Sequence, residues 1–309
     1  MKQFKNILFY AGTEQNAAAI SRSFELAMEN EATLTLMDVV KPVSRAIGMS
    51  IDVDDPAEIE QQLATEHRKK LLAIAAEYLD TGVSIDVVVS VGDPAEEIVR
   101  QVLNDNHDLV VKTADGAYSS RRLFGTIGRS LLRSCPCPVW LLKPEMHGEF
   151  DRVLAAVDVE AEDENHILLN QKILKIAHSI AQREHAELHI VAAWDIWMEK
   201  SLRSQIGNRE FEAVLARHES RVCQSLDDLL HVDYAETNDF HRHLLRGIPA
   251  GVILKLADTV KADLLVMGTV CRAGLGGFLI GSTADTVLGD VDCSVLALKP
   301  KGFVSPIEP

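Results

Sequence analysis

The sequence contains no apolar run that approaches the roughly 18 residues of a membrane-spanning helix, so we expect no membrane insertion. Its first apolar stretch, Ile7–Tyr10, is too short for the core of a signal peptide and is typical of a strand. Cysteine is also scarce: five residues, an odd number, suit a reducing compartment. We therefore predict a cytoplasmic protein rather than an exported one.

Positive charge is in short supply as well. The chain has 31 Lys and Arg against 46 Asp and Glu, a net charge of −15. Such a surface repels nucleic-acid backbones and anionic membranes, so neither is an expected partner. The 47% hydrophobic and 25% charged residues are typical of folded globular protein. A length of 309 residues corresponds to about two domains.

The two halves of the sequence repeat one pattern, with matching segments separated by 155 or 156 residues. The matching pairs are Gly92–Ala95 with Gly247–Ala250, Asp108–Val111 with Asp263–Val266, and Cys137–Pro144 with Cys293–Pro300. We therefore predict two copies of one domain, at residues 1–146 and 149–309.

Each copy alternates strand and helix patterns. The predicted strands lie near Ile7–Ala11, Leu34–Val40, Val83–Val91, Leu109–Lys112 and Val139–Leu142, and then near Val153–Val157, Leu188–Ala193, Ala235–Leu245, Leu264–Met267 and Val295–Leu298. Continuous Val, Ile and Leu in these strands indicates parallel sheets covered on both faces. We predict an α/β fold of two tandem, doubly wound, five-stranded parallel-sheet domains, with ligands at the carboxyl ends of the strands.

No Walker A motif occurs, and no G-x-G-x-x-G follows the first strand of either copy, which disfavours P-loop hydrolases and dinucleotide binding. A glycine-rich segment, Gly268–Ala284, follows the fourth strand of the second copy. Within it, Gly281-Ser282-Thr283 precedes a predicted helix, whose N-terminal amides favour phosphate. A strand–helix loop with an N-capping serine explains the same residues, and the chemistry alone leaves both interpretations open.

The repeated layout, the Gly-Asp-Pro turn at Gly92, the Asp-Leu-Leu-Val-Met-Gly-Thr segment from Asp263 and the Gly281-Ser282 helix start resemble the tandem universal stress proteins. The resemblance covers essentially the whole chain and implies an adenine nucleotide alpha hydrolase-like fold. It also implies that the two copies pair through their fifth strands as an intramolecular pseudo-dimer. The resemblance is also compatible with a homodimer of the whole chain.

The family's nucleotide motif, G-x2-G-x9-G-(S/T), is nearly complete in the second copy. Cys271 stands at the second glycine, where its side chain would weaken binding. Asp158 matches an aspartate that lies near the sugar and base, and Ala193 a residue whose backbone meets adenine. The resemblance implies bound ATP or AMP, with Mg²⁺ left open. The expected nucleotide-binding residues are Asp158, Ala193, Gly268, Cys271, Gly281, Ser282 and Thr283.

The first copy departs further from the motif. Gly12 occupies the position of the aspartate, and Thr113 replaces the first glycine. Aligning Gly125-Thr126 with the Gly-Ser pair leaves its loop one residue short. The first copy is therefore expected to be degenerate, with one nucleotide site per chain.

One pair of cysteines and one pair of histidines have a spacing that metal ligands can have, but the sequence around each pair disfavours a metal site. Cys135 and Cys137 alternate with prolines at a predicted strand entrance, and the second copy does not repeat the pair. His241 and His243 share one face of a predicted strand, and we expect no nearby cysteine or third histidine to complete a site. We therefore predict no metal site.

Catalytic signatures are missing too: no serine–histidine–aspartate order with a nucleophile elbow occurs, and no adenylation motif. The resemblance implies a non-enzymatic stress-response binding protein, with at most slow, incidental ATP hydrolysis. The alternative is a scaffold with both nucleotide sites inactive, which binds protein partners or an apolar small molecule. An adenylyl-transferring or hydrolytic enzyme is the weakest hypothesis, because its motifs are missing.

Overall fold

The computed structural model describes residues 3–12, 16–43, 56–114, 125–143, 149–161, 163–234, 239–269 and 280–309. Its strands are β1 Asn6–Tyr10, β2 Thr33–Val40, β3 Ile85–Val91, β4 Leu109–Thr113, β5 Val139–Leu142, β6 Arg152–Val157, β7 Glu187–Trp194, β8 His241–Arg246, β9 Leu264–Gly268 and β10 Ser294–Leu298. Its α-helices are α1 Ala17–Asn30, α2 Pro56–Glu77, α3 Pro94–Asp105, α4 Thr126–Ser134, α5 Glu164–Glu184, α6 Glu199–Ile206, α7 Asn208–Tyr234, α8 Pro249–Val260 and α9 Ser282–Asp290.

All ten strands form one sheet, in the order β3-β2-β1-β4-β5-β10-β9-β6-β7-β8. Neighbouring strands are parallel except at the centre, where β5 and β10 are antiparallel. The predicted α/β class is confirmed, and each half contributes five parallel strands. One strand prediction was too long, since β8 begins at His241 whereas a start at Ala235 was expected, and residues 235–238 lie outside the described part.

The sheet is buried on both faces. Along β1, Ile7 and Phe9 join one hydrophobic cluster, whereas Leu8 and Tyr10 join the other, as strand alternation requires. The first cluster takes residues from α1, α2, α5 and α7, and the second from α3, α4, α8 and α9. Helices therefore cover both faces of the inner strands, whereas the edge strand β8 is largely exposed. No helix within the described ranges is long and apolar enough to cross a membrane.

The two halves meet where β5 pairs with β10. Their register sets Val139, Trp140 and Leu141 opposite Ala297, Leu296 and Val295. All six residues are buried. The pairing predicted for the fifth strands is present, and it satisfies two apolar strand edges that would otherwise be open to association.

A charged cluster joins the halves on one face of this junction. Arg22 of α1 contacts Glu184 of α5 at 2.5 Å, and Arg183 contacts Glu29 of α1 at 2.8 Å. The Arg22 guanidinium also lies 5.1 Å from the centre of the Phe150 ring. Burial opposes ionisation of Glu184, but hydrogen bonds and positive charge from Arg22 and Arg183 prevail and hold the pKa of Glu184 below its usual value.

The β5–β10 pairing predicts the behaviour of the separated halves. Expressed alone, residues 1–148 and 149–309 should each self-associate, because each exposes an apolar, unpaired strand edge. Mixing them should yield a one-to-one complex, which sedimentation velocity can measure. If either half alone were a stable monomer at high concentration, the junction would not be needed to cover that edge.

The charged cluster predicts a strong effect of Glu184→Gln. The substitution leaves two arginines without their buried carboxylate, and should lower the free energy of unfolding by about 3 kcal/mol. The folded pKa is lowered, so this stabilisation is complete above the unfolded pKa near 4.5 and is lost as the pH falls. Urea unfolding at several pH values measures it.

Glu25→Gln is the matched control, because Glu25 contacts Arg22 at 3.5 Å with a side chain that is 45% exposed. It should change stability by less than about 1 kcal/mol. Equal losses for the two variants would mean that burial of the Glu184 carboxylate is unimportant.

Candidate functional site

A cavity of about 380 Å³ opens at the carboxyl ends of β6, β7 and β9. Its volume falls in the range of roughly 300–1,000 Å³ that is common for small-molecule sites. The lining residues are Ala156, Val157, Asp158, His166, Leu169, Asn170, Ile173, Ala193, Pro249, Ile253, Met267, Gly268, Gly281, Ser282, Thr283 and Ala284. The position is the one that the fold predicts for a ligand in an open parallel sheet.

Asp158 is held in place by a buried asparagine of α5. The Asp158 N–H donates to Asn170 Oδ1 at 3.1 Å, and Asn170 Nδ2 donates to the Asp158 carbonyl at 2.7 Å. The Asp158 carboxylate accepts the Glu160 N–H at 3.1 Å. Asn170 therefore fixes the turn after β6, and with it the position of the half-buried carboxylate.

Helix α9 begins at the cavity. Its first intrahelical bond runs from the Asp285 N–H to the Gly281 carbonyl, at 2.9 Å. The amides of Ser282, Thr283 and Ala284 therefore precede the helical ladder, and Gly281 has no side chain to cap them. Asp285, in the same turn, contacts Arg133 at 3.1 Å. The helix start thus presents three N–H groups and the positive end of its dipole beside the cavity.

Gly268, the last residue of β9, lies under a leucine of α5. A Cβ at this position would sit 2.7 Å from Leu169 Cδ2, well inside van der Waals contact. Leu169 itself is buried and lines the cavity. The packing of α5 on β9 therefore favours glycine here, whatever ligand is bound.

Six of the seven residues expected at a nucleotide site line this one cavity, and Cys271 lies outside the described residues. His166 and Asn170 also line the cavity and were not expected from the sequence. Asn170 carried a usable signal, because it is a polar residue among the apolar residues that the first half of α5 buries. His166 lies in the first turn of α5, where its Nδ1 contacts the N-cap carboxylate of Asp163.

The corresponding position in the first half is built from larger or differently charged side chains. Gly12 has a φ of 64°, and a Cβ there would meet the Tyr10 ring at 3.3 Å, so an aspartate like Asp158 is disfavoured. By strand register, the counterparts are Tyr10 for Ala156, Val39 for Ala193 and Lys112 for Met267. All three are buried, and Lys112 Nζ donates to the Thr113 carbonyl at 2.7 Å.

The paired cysteines are buried thiols. Cys135 and Cys137 place their sulfurs 3.5 Å apart in the core. The hydrogen bond between the Cys137 thiol and Cys135, together with burial, raises the pKa of Cys137 well above its usual value. Both effects favour the neutral thiol over the thiolate that binds metals.

The expectation that no third histidine lies near His241 and His243 is wrong. His189 of β7 stacks against both rings, with centroids 4.6 Å and 5.3 Å away, and its Nδ1 lies 3.1 Å from His243 Nε2. Parallel pairing of β7 with β8 sets His189 beside His241. His189 lies 52 residues before His241 in the sequence, so only the strand register brings it to the other two imidazoles.

The fold defines a tandem α/β protein with two parallel half-sheets and a cavity at the strand ends of the second half. The sequence profile of the universal stress protein family matches residues 3–143 and again residues 149–299. The chain belongs to the universal stress protein family.

Individual relatives agree. Universal stress protein E of Photorhabdus laumondii is 26% identical over 318 residues, covering 100% of this chain and 99% of that protein. Universal stress protein E of Escherichia coli K12 is 30% identical over 261 residues, with 82% and 81% covered. A functionally unknown protein from Pseudomonas aeruginosa PAO1 superposes with a TM-score of 0.70 at 25% identity, covering 98% of this chain and 95% of that one.

The contact between Gly268 and Leu169 predicts a coupled pair of substitutions. Gly268→Ala should lower the free energy of unfolding by about 1–3 kcal/mol through overpacking, and Leu169→Ala by about 2–5 kcal/mol through a cavity. The double variant should lose less than the sum, because the smaller side chain makes room for the new Cβ.

Gly251→Ala is the control, since a Cβ at Gly251 of α8 meets nothing within 4 Å. It should leave stability unchanged or raise it by up to about 1 kcal/mol. Strictly additive losses at positions 268 and 169, measured by urea unfolding, would contradict the packing explanation for Gly268.

Proposed function

We propose that this chain is a stress-response binding protein that holds one adenine nucleotide, ATP or AMP, in its second domain, residues 149–309. The observation that carries the proposal is the start of α9, whose amides at Ser282, Thr283 and Ala284 lie beside the same cavity as Asp158. The first domain, residues 1–146, has lost the site in this proposal.

The phosphates fit the α9 end of the cavity. Backbone amides ahead of a helical ladder, together with the helix dipole, favour anions. The hydroxyls of Ser282 and Thr283 line the same end and can donate further hydrogen bonds. Because Asp285 contacts Arg133, its charge is partly offset before a phosphate approaches.

The nucleoside fits the rest of the cavity. Its walls are mainly apolar, as a flat base requires, and include Ala156, Ile253 and Met267. The Asp158 carboxylate, oriented by Asn170, is an acceptor suited to ribose hydroxyls. The backbone of Ala193, at the end of β7, is the expected contact for the adenine edge.

We propose binding without catalysis. Among the described lining residues, the acid–base groups are His166 and Asp158. His166 Nδ1 contacts the N-cap carboxylate of Asp163, and the Asp158 carboxylate accepts the Glu160 N–H. We propose slow hydrolysis of bound ATP at most, because the sequence carries no catalytic motif that would position an attacking water.

A scaffold that binds an apolar small molecule or a protein is the second candidate. It is favoured by the apolar lining and by two exposed side chains, Trp197, which is 84% exposed, and Ile248, which is 73% exposed and precedes the lining residue Pro249. Exposed apolar groups of this size are common at interaction sites. This candidate needs no anion at α9, which separates it from the nucleotide proposal.

The nucleotide proposal predicts one site per chain in calorimetric titration with ATP and AMP. Gly281→Val should weaken binding at least tenfold, about 1.4 kcal/mol, because a branched side chain at the start of α9 blocks the approach of phosphate. Thr126→Val, which places the same side chain at the start of the equivalent helix α4 in the first half, is the control and should leave affinity unchanged. Two equivalent sites, or an effect of Thr126→Val, would contradict the assignment to the second domain.

Cys271→Gly restores the glycine of the family motif and should tighten binding by about 1 kcal/mol.

Native mass spectrometry of the purified chain distinguishes the two functions. Stoichiometric AMP or ATP supports the nucleotide site. A co-purified apolar molecule, together with no nucleotide binding even by the Cys271→Gly variant, supports the scaffold.

A further inference from the structure

The second half carries a cluster of imidazoles and a carboxylate at its outer edge, far from the cavity. Glu187 and His189 occupy alternate positions at the start of β7, and His241 begins the neighbouring edge strand β8. One ligand atom from each of these three side chains lies within 4.8 Å of the others. Glu187 and Ala193 are six residues apart along β7, a distance of about 20 Å. The cluster therefore lies at the amino ends of the strands, and the cavity lies at their carboxyl ends.

His189 contains an unusual buried atom. The residue is 7% exposed, and its Nε2 has no hydrogen-bond partner among the described residues. The closest oppositely charged group is the Glu187 carboxylate, at 3.7 Å, which is too long for a hydrogen bond. By contrast, the buried His107 of the first half uses both ring nitrogens, bonding to the Gln101 carbonyl at 3.2 Å and Thr35 Oγ1 at 3.0 Å.

We propose that Glu187, His189 and His241 form a binding site for a divalent metal ion of the zinc class. A metal ion at this point supplies the missing partner of His189 Nε2. Two imidazole nitrogens and one carboxylate oxygen are a common ligand set for Zn²⁺. Water, or the carboxylate of Asp239, which lies two residues before His241 in the sequence, completes the coordination.

The second ring nitrogen of His189 orients the ligand. Its Nδ1 lies 3.1 Å from His243 Nε2, and when the Nδ1–H donates to His243 the lone pair remains on Nε2. Metal-bound histidines usually donate their other N–H in this way. Burial first, and then the neighbouring His241 and His243, lower the pKa of His189, which favours the neutral form that binds metals.

The three ligand atoms need small movements to reach the spacing that a zinc ion requires. Tetrahedral zinc with bonds of about 2.0–2.2 Å places its ligand atoms about 3.3 Å apart. Glu187 and His241 are exposed, so their side chains can turn towards a shared ion, and His241 leaves its stack against His189 as it does so. Arg152 contacts Glu187 at 3.5 Å, but both are exposed, so this ion pair is weak and can yield to a dication.

The cluster is accessible from solvent, and its residues occur in the second half of the chain alone among the equivalent positions of the two halves. A cavity of about 530 Å³ reaches Glu187 and His241 from solvent and adds His178, His185 and Asp239 to its lining. In the first half, the positions that match Glu187, His189 and His241 by strand register are Thr33, Thr35 and Asp86. One site per chain is therefore expected.

Titration of the metal-free, full-length chain tests the proposal, with Zn²⁺ followed by calorimetry and Co²⁺ by visible absorption. We expect one equivalent of each metal, and a Co²⁺ spectrum without the intense near-ultraviolet band of thiolate ligation. Failure to bind either metal would overturn the proposal. A thiolate band would overturn it too, because it would place the metal on cysteine.

His241→Ala and Glu187→Gln should each weaken Zn²⁺ binding at least about tenfold. Both residues are exposed, so thermal unfolding without metal should not change. His231→Ala and Glu77→Gln remove the same groups at exposed positions outside the cluster and should retain wild-type affinity. Unchanged binding by the first pair, or equal losses in both pairs, would contradict the site.

His243 is a positioning residue in this proposal, and two substitutions separate that role from simple packing. His243→Gln keeps a hydrogen-bond acceptor for His189 and should bind Zn²⁺ within a few-fold of the wild type. His243→Leu removes the acceptor and should weaken binding by about tenfold, with the metal-free stability similar in the two variants. Equal affinities for the two would contradict the orienting role.

Discussion

The pairing of β5 with β10 is the constraint on which the rest of the molecule depends. Each half of the sheet ends on a short strand whose residues are buried on both faces, and neither strand can remain an open edge in water. Antiparallel pairing satisfies both edges at once, and it allows the charged cluster around Glu184 to bridge α1 and α5. The two repeats are therefore one continuous sheet rather than two domains on a tether.

Within this common frame, the two halves have diverged at equivalent positions. The first half places Tyr10, Val39 and Lys112 where the second places two alanines and a methionine. The strand framework is the same in both halves, so the difference at these positions is one of side-chain volume and charge. The edges diverge too, since three histidines gather on β7 and β8, and their counterparts in the first half include none.

Much of the fold follows from sequence alone, because it depends on local patterns. The repeat and the continuous apolar strands predict all ten strands and their class. Helix α6, Glu199–Ile206, escaped prediction because none of its residues is buried, so it has no apolar stripe to detect.

The candidate site was predictable only in part. Gly268 and Gly281 follow from the spacing of the family motif, and Asp158 from the family resemblance at the end of the first strand of the second copy. Asn170 and the contact of Leu169 with Gly268 depend on how α5 packs across β6 and β9, and His189 depends on strand register. Such relations between distant segments leave no mark in a single sequence beyond a polar residue in an apolar helix face.

The central junction also has a consequence for how the protein is made. From the end of β5 at Leu142 to the start of β10 at Ser294, the ribosome must add about 150 residues. At 5–20 residues per second this takes roughly 8–30 s, far longer than local helices and hairpins need to form. During that interval the first half is complete except for its partner strand, and its apolar edge is open to the same edge on a neighbouring nascent chain. On crowded polysomes, the β10 strand of the same chain therefore competes with the β5 strand of neighbouring chains for pairing with β5.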